Sequence, residues 1–276
     1  MIKDIVVNLT VGAGRDVAAE FAISIAEAFE AHIAGIAFAY DPVITPTVMD
    51  GMSAAWIDTQ RNENRAAAQA AIDKFEEGVR RKSLSGEHRL MESSLGGAAN
   101  LFGRIARRFD LAVVGQTDPE RLTADDLFIE AALFESGRPV VVVPYIQKQG
   151  IKLDRALVCW DASRTAARAV ADAMPFLTRA KAVEIVMVSG KGDDTSEIPG
   201  VDFGQHIARH GLAVEVKRLV AEDVDVANTV LSYAADCAAD FIVMGGYGHS
   251  RLREFVLGGA TRGILESMTV PVLMSH

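Results

Sequence analysis

The chain has 276 residues, of which 50% are hydrophobic and 24% charged, with a formal net charge of −9. That length fits two ordinary domains, and the acidic balance argues against non-specific binding to nucleic acid or to an anionic membrane surface. No apolar run reaches membrane-spanning length, and the two cysteines, Cys159 and Cys237, sit at apolar stretches as expected of buried free thiols in a reducing compartment.

Met1 leads directly into a strand pattern at 4–10, without the basic start and long apolar core of a signal peptide, so a cytoplasmic location is expected. A turn at 11–14 precedes a helix over 15–31, with Val17, Phe21, Ile25, Ala28 and Phe29 at helical spacing. A strand at 33–39 and a loop with Pro42, Pro46 and Gly51 follow. The long pattern over 53–82 is helical, with Trp56, Ile57, Ile72 and Phe75 available for one face. Strands at 87–93, 111–114 and 139–144 alternate with helices at 98–108 and 125–136.

The polar stretch Gln147, Lys148, Gln149, Gly150 marks a domain boundary, after which the same order begins again. Strands are expected at 155–160, 182–188 and 213–219, with helices at 163–178, 202–210 and 226–238 and a polar loop at 189–200. Phe241, Ile242, Val243 and Met244 form a buried strand that runs into Gly245, Gly246 and Gly248. A short segment leads to Gly258 and Gly259, a helix reaches Met268, and a strand at 271–274 closes the chain.

The repeat is visible in residues too. Asp110 with Leu111 to Gly115 parallels Asp240 with Phe241 to Gly245, and Pro139 with its valines parallels Pro271 with Val272. Strand–helix alternation implies parallel sheets with right-handed crossovers. The expected fold is α/β: two Rossmann-like domains, 1–147 and 151–276, each a five-stranded parallel sheet with helices on both faces. Ligands of such sheets bind beyond the carboxyl ends of the strands, near the switch point of the winding.

Glycines at a strand's carboxyl end let the backbone approach a ligand, and a Gly-Gly pair opening a helix offers N–H groups to an anion. The residues alone leave two readings open: a phosphate cradle, or glycines that serve turns and close packing. The spacing Gly245, two residues, Gly248, nine residues, Gly258 matches the G-x2-G-x9-G pattern of the universal stress protein family, and the segments GYGHS, LREFVLGGAT and VPVLM resemble it as well. The resemblance covers both halves. It implies domains like those of the adenine nucleotide alpha hydrolases, binding ATP or a related adenine nucleotide.

Carried onto this sequence, the resemblance places Asp161 at the adenosine portion and Val188 and Met244 at the adenine. Tyr247 lies over the sugar or base, or covers the loop. Gly245, Gly248, Gly258, Gly259, Ala260 and Thr261 surround the phosphates. One departure is Gly259, where the family's nucleotide-binding members carry Ser or Thr; Thr261 is the nearby hydroxyl. Each residue also has a plain role: Asp161 as a helix cap, Val188 and Met244 as core, His249 as a solvated turn residue.

The first half lacks the pattern. No glycine separates Gly115 from Gly137, Asp118, Glu120, Asp125 and Asp126 would repel a triphosphate, and Thr10 stands where Asp161 stands in the second half. This half reads as a degenerate, non-binding copy. No Ser–His–Asp arrangement, HExxH or CxxC zinc pattern, or P-loop lysine is present. The expectation is a non-enzymatic stress-response protein acting through conformation or an unidentified protein partner. The resemblance further implies last strands packed at a shared interface, as an intrachain pseudo-dimer or a homodimer. Alternatives are a scaffold without nucleotide, and a slow ATP hydrolase with Asp161 helping to hold Mg²⁺.

Overall fold

The computed structural model describes residues 1–42, 54–120, 125–190, 201–221, 225–247 and 259–276. They divide into two compact units. The N-terminal unit holds 2–138 and 148–150; the C-terminal unit holds 139–147 and 151–276, with Met1.

In the N-terminal unit the order is β1 (Asp4–Asn8), α1 (Val17–Phe29), β2 (His32–Tyr40), α2 (Ala54–Arg81), β3 (Gly86–Ser93), α3 (Leu95–Ala106), β4 (Leu111–Gly115) and α4 (Asp125–Glu135). The strands lie β3-β2-β1-β4, all parallel. The winding runs from β1 outward to β3, then returns to place β4 on the other side of β1. With right-handed crossovers this puts α1 and α2 on one face and α3 on the other. Covered on both faces, Ile5, Val6 and Val7 of β1 are wholly buried. The edge strand β3 instead carries Glu87, His88 and Arg89 in exposed positions, which discourages further pairing.

Helix α2 buries Ala68, Ile72, Phe75 and Val79, a stripe at helical spacing. Trp56 does not join it and is 43% exposed. The reason is length: Asn64 Nδ2 donates to the carbonyl of Tyr40, the last residue of β2 (2.7 Å), so the turns before Asn64 lie past the end of the strand.

In the C-terminal unit the order is β5 (Val140–Val143), β6 (Arg155–Cys159), α5 (Arg164–Leu177), β7 (Ala182–Gly190), α6 (Val201–Ala208), β8 (Val214–Ala221), α7 (Val226–Asp236), β9 (Phe241–Gly245), α8 (Ala260–Ser267) and β10 (Val272–Ser275). The sheet order is β5-β10-β9-β6-β7-β8. The five strands from β10 to β8 are parallel, as expected. Strand β5 pairs antiparallel with β10, Val272 opposite Val142 and Met274 opposite Val140. No helix among the described residues is long and apolar enough to cross a membrane.

The repeat extends to individual hydrogen bonds at the amino ends of the strands. Asp110 Oδ2 accepts the N–H groups of Lys3 (2.8 Å) and Asp4 (3.2 Å). Asp240 does the same for Asp154 (2.8 Å) and Arg155 (3.2 Å). Both aspartates satisfy amides that would otherwise lack a partner at the start of a buried strand.

Candidate functional site

The switch point of the C-terminal sheet lies between β6 and β9, which are neighbours. Beyond Cys159, Trp160 donates its N–H to the Val186 carbonyl (2.8 Å), and the chain then turns through Asp161, Ala162 and Ser163. Asp161 is exposed. Its Oδ1 accepts the N–H of Ser163 (2.9 Å), and its Oδ2 has no protein partner among the described residues. Ala162 is left-handed, with φ 59°, a conformation that costs a residue with a Cβ about 1–2 kcal/mol. Ser163, not Asp161, is the N-cap of α5, accepting the Ala166 N–H (3.1 Å). The capping role open to Asp161 in the sequence therefore belongs to its neighbour.

Beside this turn β9 ends at Gly245. A Cβ there would sit 2.5 Å from the Ala166 nitrogen and 2.6 Å from Thr165 Oγ1. Glycine is required because the strand end presses on the first turn of α5. Gly246 donates to the Ser275 carbonyl (2.9 Å), and His276 donates through Nδ1 to the Gly246 carbonyl (3.1 Å). Tyr247 is left-handed, φ 51°, and its N–H is accepted by Thr261 Oγ1 (3.2 Å). The Thr261 hydroxyl is buried and already serves as this acceptor. Met244 is buried and pairs with Met274 in β10. Val188 is half-buried near the end of β7. Gly248, His249 and Gly258 lie outside the described residues.

Among the described residues, four helices begin on a side-chain cap: Asp16 for α1, Ser94 for α3, Ser163 for α5 and Asp225 for α7. Helix α8 begins on Gly259, which makes no side-chain cap hydrogen bond. Its first-turn amides therefore face the edge without a capping oxygen from the N-cap residue, where an anion is favoured. The thiol of Cys159 is pushed up to about 12 by burial and by the charge of Asp161, so it holds no thiolate for nucleophilic or metal chemistry at neutral pH.

The family model for the universal stress protein family matches residues 152–276. The chain carries a universal stress protein domain. A crystallised universal stress protein of Archaeoglobus fulgidus superimposes with a TM-score of 0.72 at 17% identity, covering 99% of this chain and 97% of that one. A putative universal stress protein of Pseudomonas aeruginosa gives 0.66 at 15% identity, covering 99% and 93%. At that identity the likeness is one of fold, and its span fits a tandem of two such domains. Universal stress protein Slr1230 of Synechocystis is 28% identical over 142 residues. The match takes in 49% of this chain and 46% of the relative, so it spans about half of that protein.

Outside the matched universal stress protein domain, the corresponding edge of the N-terminal unit is built differently. Leu9 donates to the Ile36 carbonyl (2.8 Å), as Trp160 does to Val186, which makes Thr10 the counterpart of Asp161. Asp16 fills this turn: its carboxylate accepts the N–H groups of Thr10 (2.7 Å) and Ala19 (3.0 Å). Burial, with smaller contributions from Asp125 and Glu20, pushes its pKa up to about 6 against the opposing pull of those two bonds. A cleft of about 780 Å³ opens between α1 and α2, but its charges are largely engaged. Arg15 pairs with Glu20, Lys82 with Glu27, and Lys74 donates to the Ala13 carbonyl (3.1 Å).

Proposed function

We propose that the chain binds one ATP, or a related adenine nucleotide, at the carboxyl edge of its C-terminal domain, 151–276, while the N-terminal domain, 1–147, binds none. The observation that carries this reading is the α8 start at Gly259, without a side-chain cap and tied to the end of β9 by Tyr247 and Thr261, on the strand next to β6, which leads into the exposed Asp161. Asp161 Oδ2 is a free acceptor for a sugar hydroxyl. Val188 and Met244 line the adenine. Gly245, Tyr247, Gly248, Gly258, Gly259, Ala260 and Thr261 form the phosphate side. Mg²⁺ fits as an ion carried by the phosphates with at most one carboxylate, since such sites need few protein ligands. The output is a change of conformation or of partner in a cytoplasmic stress response rather than metabolic turnover.

Calorimetric titration of the full chain with ATP tests this reading. It should give about one site per chain; two equal sites, or none, would reject it. A second reading, a scaffold without nucleotide, draws support from the absence of a hydroxyl at Gly259. Protein that carries no adenine nucleotide after purification and takes up none would favour it.

A further inference from the structure

Trp160, the residue before Asp161, lays its indole flat on the ring of Phe203 in α6, with centroids 3.6 Å apart and planes 3° from parallel. Both rings are only half-buried. In the N-terminal unit the same place is held by Leu9, which is buried. The two units also differ in what their turns demand. The turn after Leu9 takes its positive φ at Gly12, 75°, where glycine has no Cβ to clash, and the Asp16 carboxylate both holds it at Thr10 and caps α1 at Ala19. The turn after Trp160 takes its positive φ at an alanine, and Asp161 contributes one bond to it. A strained turn persists only when its flanks are fixed. Ser163 fixes one flank through the α5 cap. The other flank is Trp160, held by its bond to Val186 and by the ring stack.

We propose that Trp160 is a positioning residue for the ligand of this edge: its stack on Phe203 fixes the Asp161 turn and makes α6 part of the binding unit. The proposal rests on the nucleotide reading of the site. Losing the stack leaves the turn held on that side by a single backbone hydrogen bond, so Ala162 relaxes and the Asp161 carboxylate leaves the place where a sugar hydroxyl meets it.

The test uses the full chain with Trp56→Phe, which leaves Trp160 as the one indole. ATP should change its emission, and Phe203→Ala should weaken ATP binding at least about tenfold. Phe203→Tyr keeps the ring and should bind like the parent. Tyr233→Phe removes a hydrogen bond to the buried Glu184 (2.6 Å) and serves as a destabilised control with parental affinity. Phe203→Ala that binds ATP as well as the parent overturns the proposal, and so does an equal loss in Tyr233→Phe. A parent that binds no ATP rejects the nucleotide reading, and a ligand-free measurement then decides the positioning role. In a Cys237→Ser background, Phe203→Ala should speed thiol labelling of Cys159, next to Trp160, about tenfold or more. An unchanged labelling rate shows that the stack does not hold the strand end.

Discussion

The carboxyl edges of β1 and β6 begin from the same hydrogen bond and end as different surfaces. In the N-terminal unit the turn relaxes through Gly12, and Asp16 from within the chain takes both the Thr10 N–H and the first-turn amide of α1 at Ala19. In the C-terminal unit the turn runs through Ala162, Asp161 keeps one oxygen without a partner among the described residues, and α8 starts on a glycine that supplies no side-chain cap. The amino edges, tied by Asp110 and Asp240, are alike. The fold is thus held by the core and the amino edge, and the carboxyl edge is where the two copies differ in structure.

The sharpest way to break this comparison is a pair of alanines at matching strand ends. Gly245→Ala drives a Cβ into the backbone of α5 and should cost about 1–3 kcal/mol as overpacking. Gly115→Ala meets only the Ala18 Cβ at 3.8 Å and should stay within about 0.5 kcal/mol. Denaturant melts of the two variants read the difference; equal losses would show that the strand ends are packed alike.

Asp16 supplies a difference in pH response. Its folded pKa, about 6, lies above the ordinary carboxylate value, so the folded state binds the proton more tightly. Stability from this group is therefore greatest below the unfolded pKa and falls as pH rises through the window up to about 6, by at most about 3 kcal/mol. Asp16→Asn should flatten that part of the stability–pH curve. A curve unchanged by the substitution would show that burial does not penalise this carboxylate.

Asp161→Asn should lower nucleotide affinity about tenfold, on the order of 1.4 kcal/mol, with little change in melting, since the side chain is exposed and makes one turn bond. Thr10→Asp should not create a second site, because Asp16 already occupies that turn. Nucleotide binding by the N-terminal domain of Thr10→Asp would erase the distinction between the edges. The smallest effect is expected from Gly259→Ser. A Cβ there is in ordinary contact with Arg262, 3.7 Å from its nitrogen, so the serine caps α8 for a few tenths of a kcal/mol. Its hydroxyl proton remains for a phosphate, and affinity should rise severalfold; a drop in affinity would mean that the cap closes the amides to the ligand.

Sequence pattern located the ten strands that the described residues show, because alternation and apolar runs are local signals. The contact of β5 with β10 was implied by the resemblance, as last strands at a shared interface, but its antiparallel direction was not legible, since Val140 to Val143 reads the same whichever neighbour it takes. At the carboxyl edge, Asp161 and the glycines could be named from the family resemblance that the glycine spacing carries. What each does was not legible. That Ser163 caps α5 in place of Asp161, that Gly245 is needed by the helix beneath it, and that Thr261 already serves Tyr247 are facts about segments brought together by folding. The Trp160–Phe203 stack was missed for the same reason. A bulky aromatic directly before Asp161, where the first copy has Leu9, was the available clue.

The bond from Tyr247 to Thr261 joins residues 14 apart, and the chain before and after it is also joined by β9 on β10 and, beyond them, Gly246 on Ser275. A protease cut between residues 247 and 261 therefore need not release a fragment. The severed pieces remain paired through β9 and β10, and the nicked protein should run as one particle by size while denaturing gels resolve two bands. Fold and ligand capture would then be separable with a protease in place of a mutation.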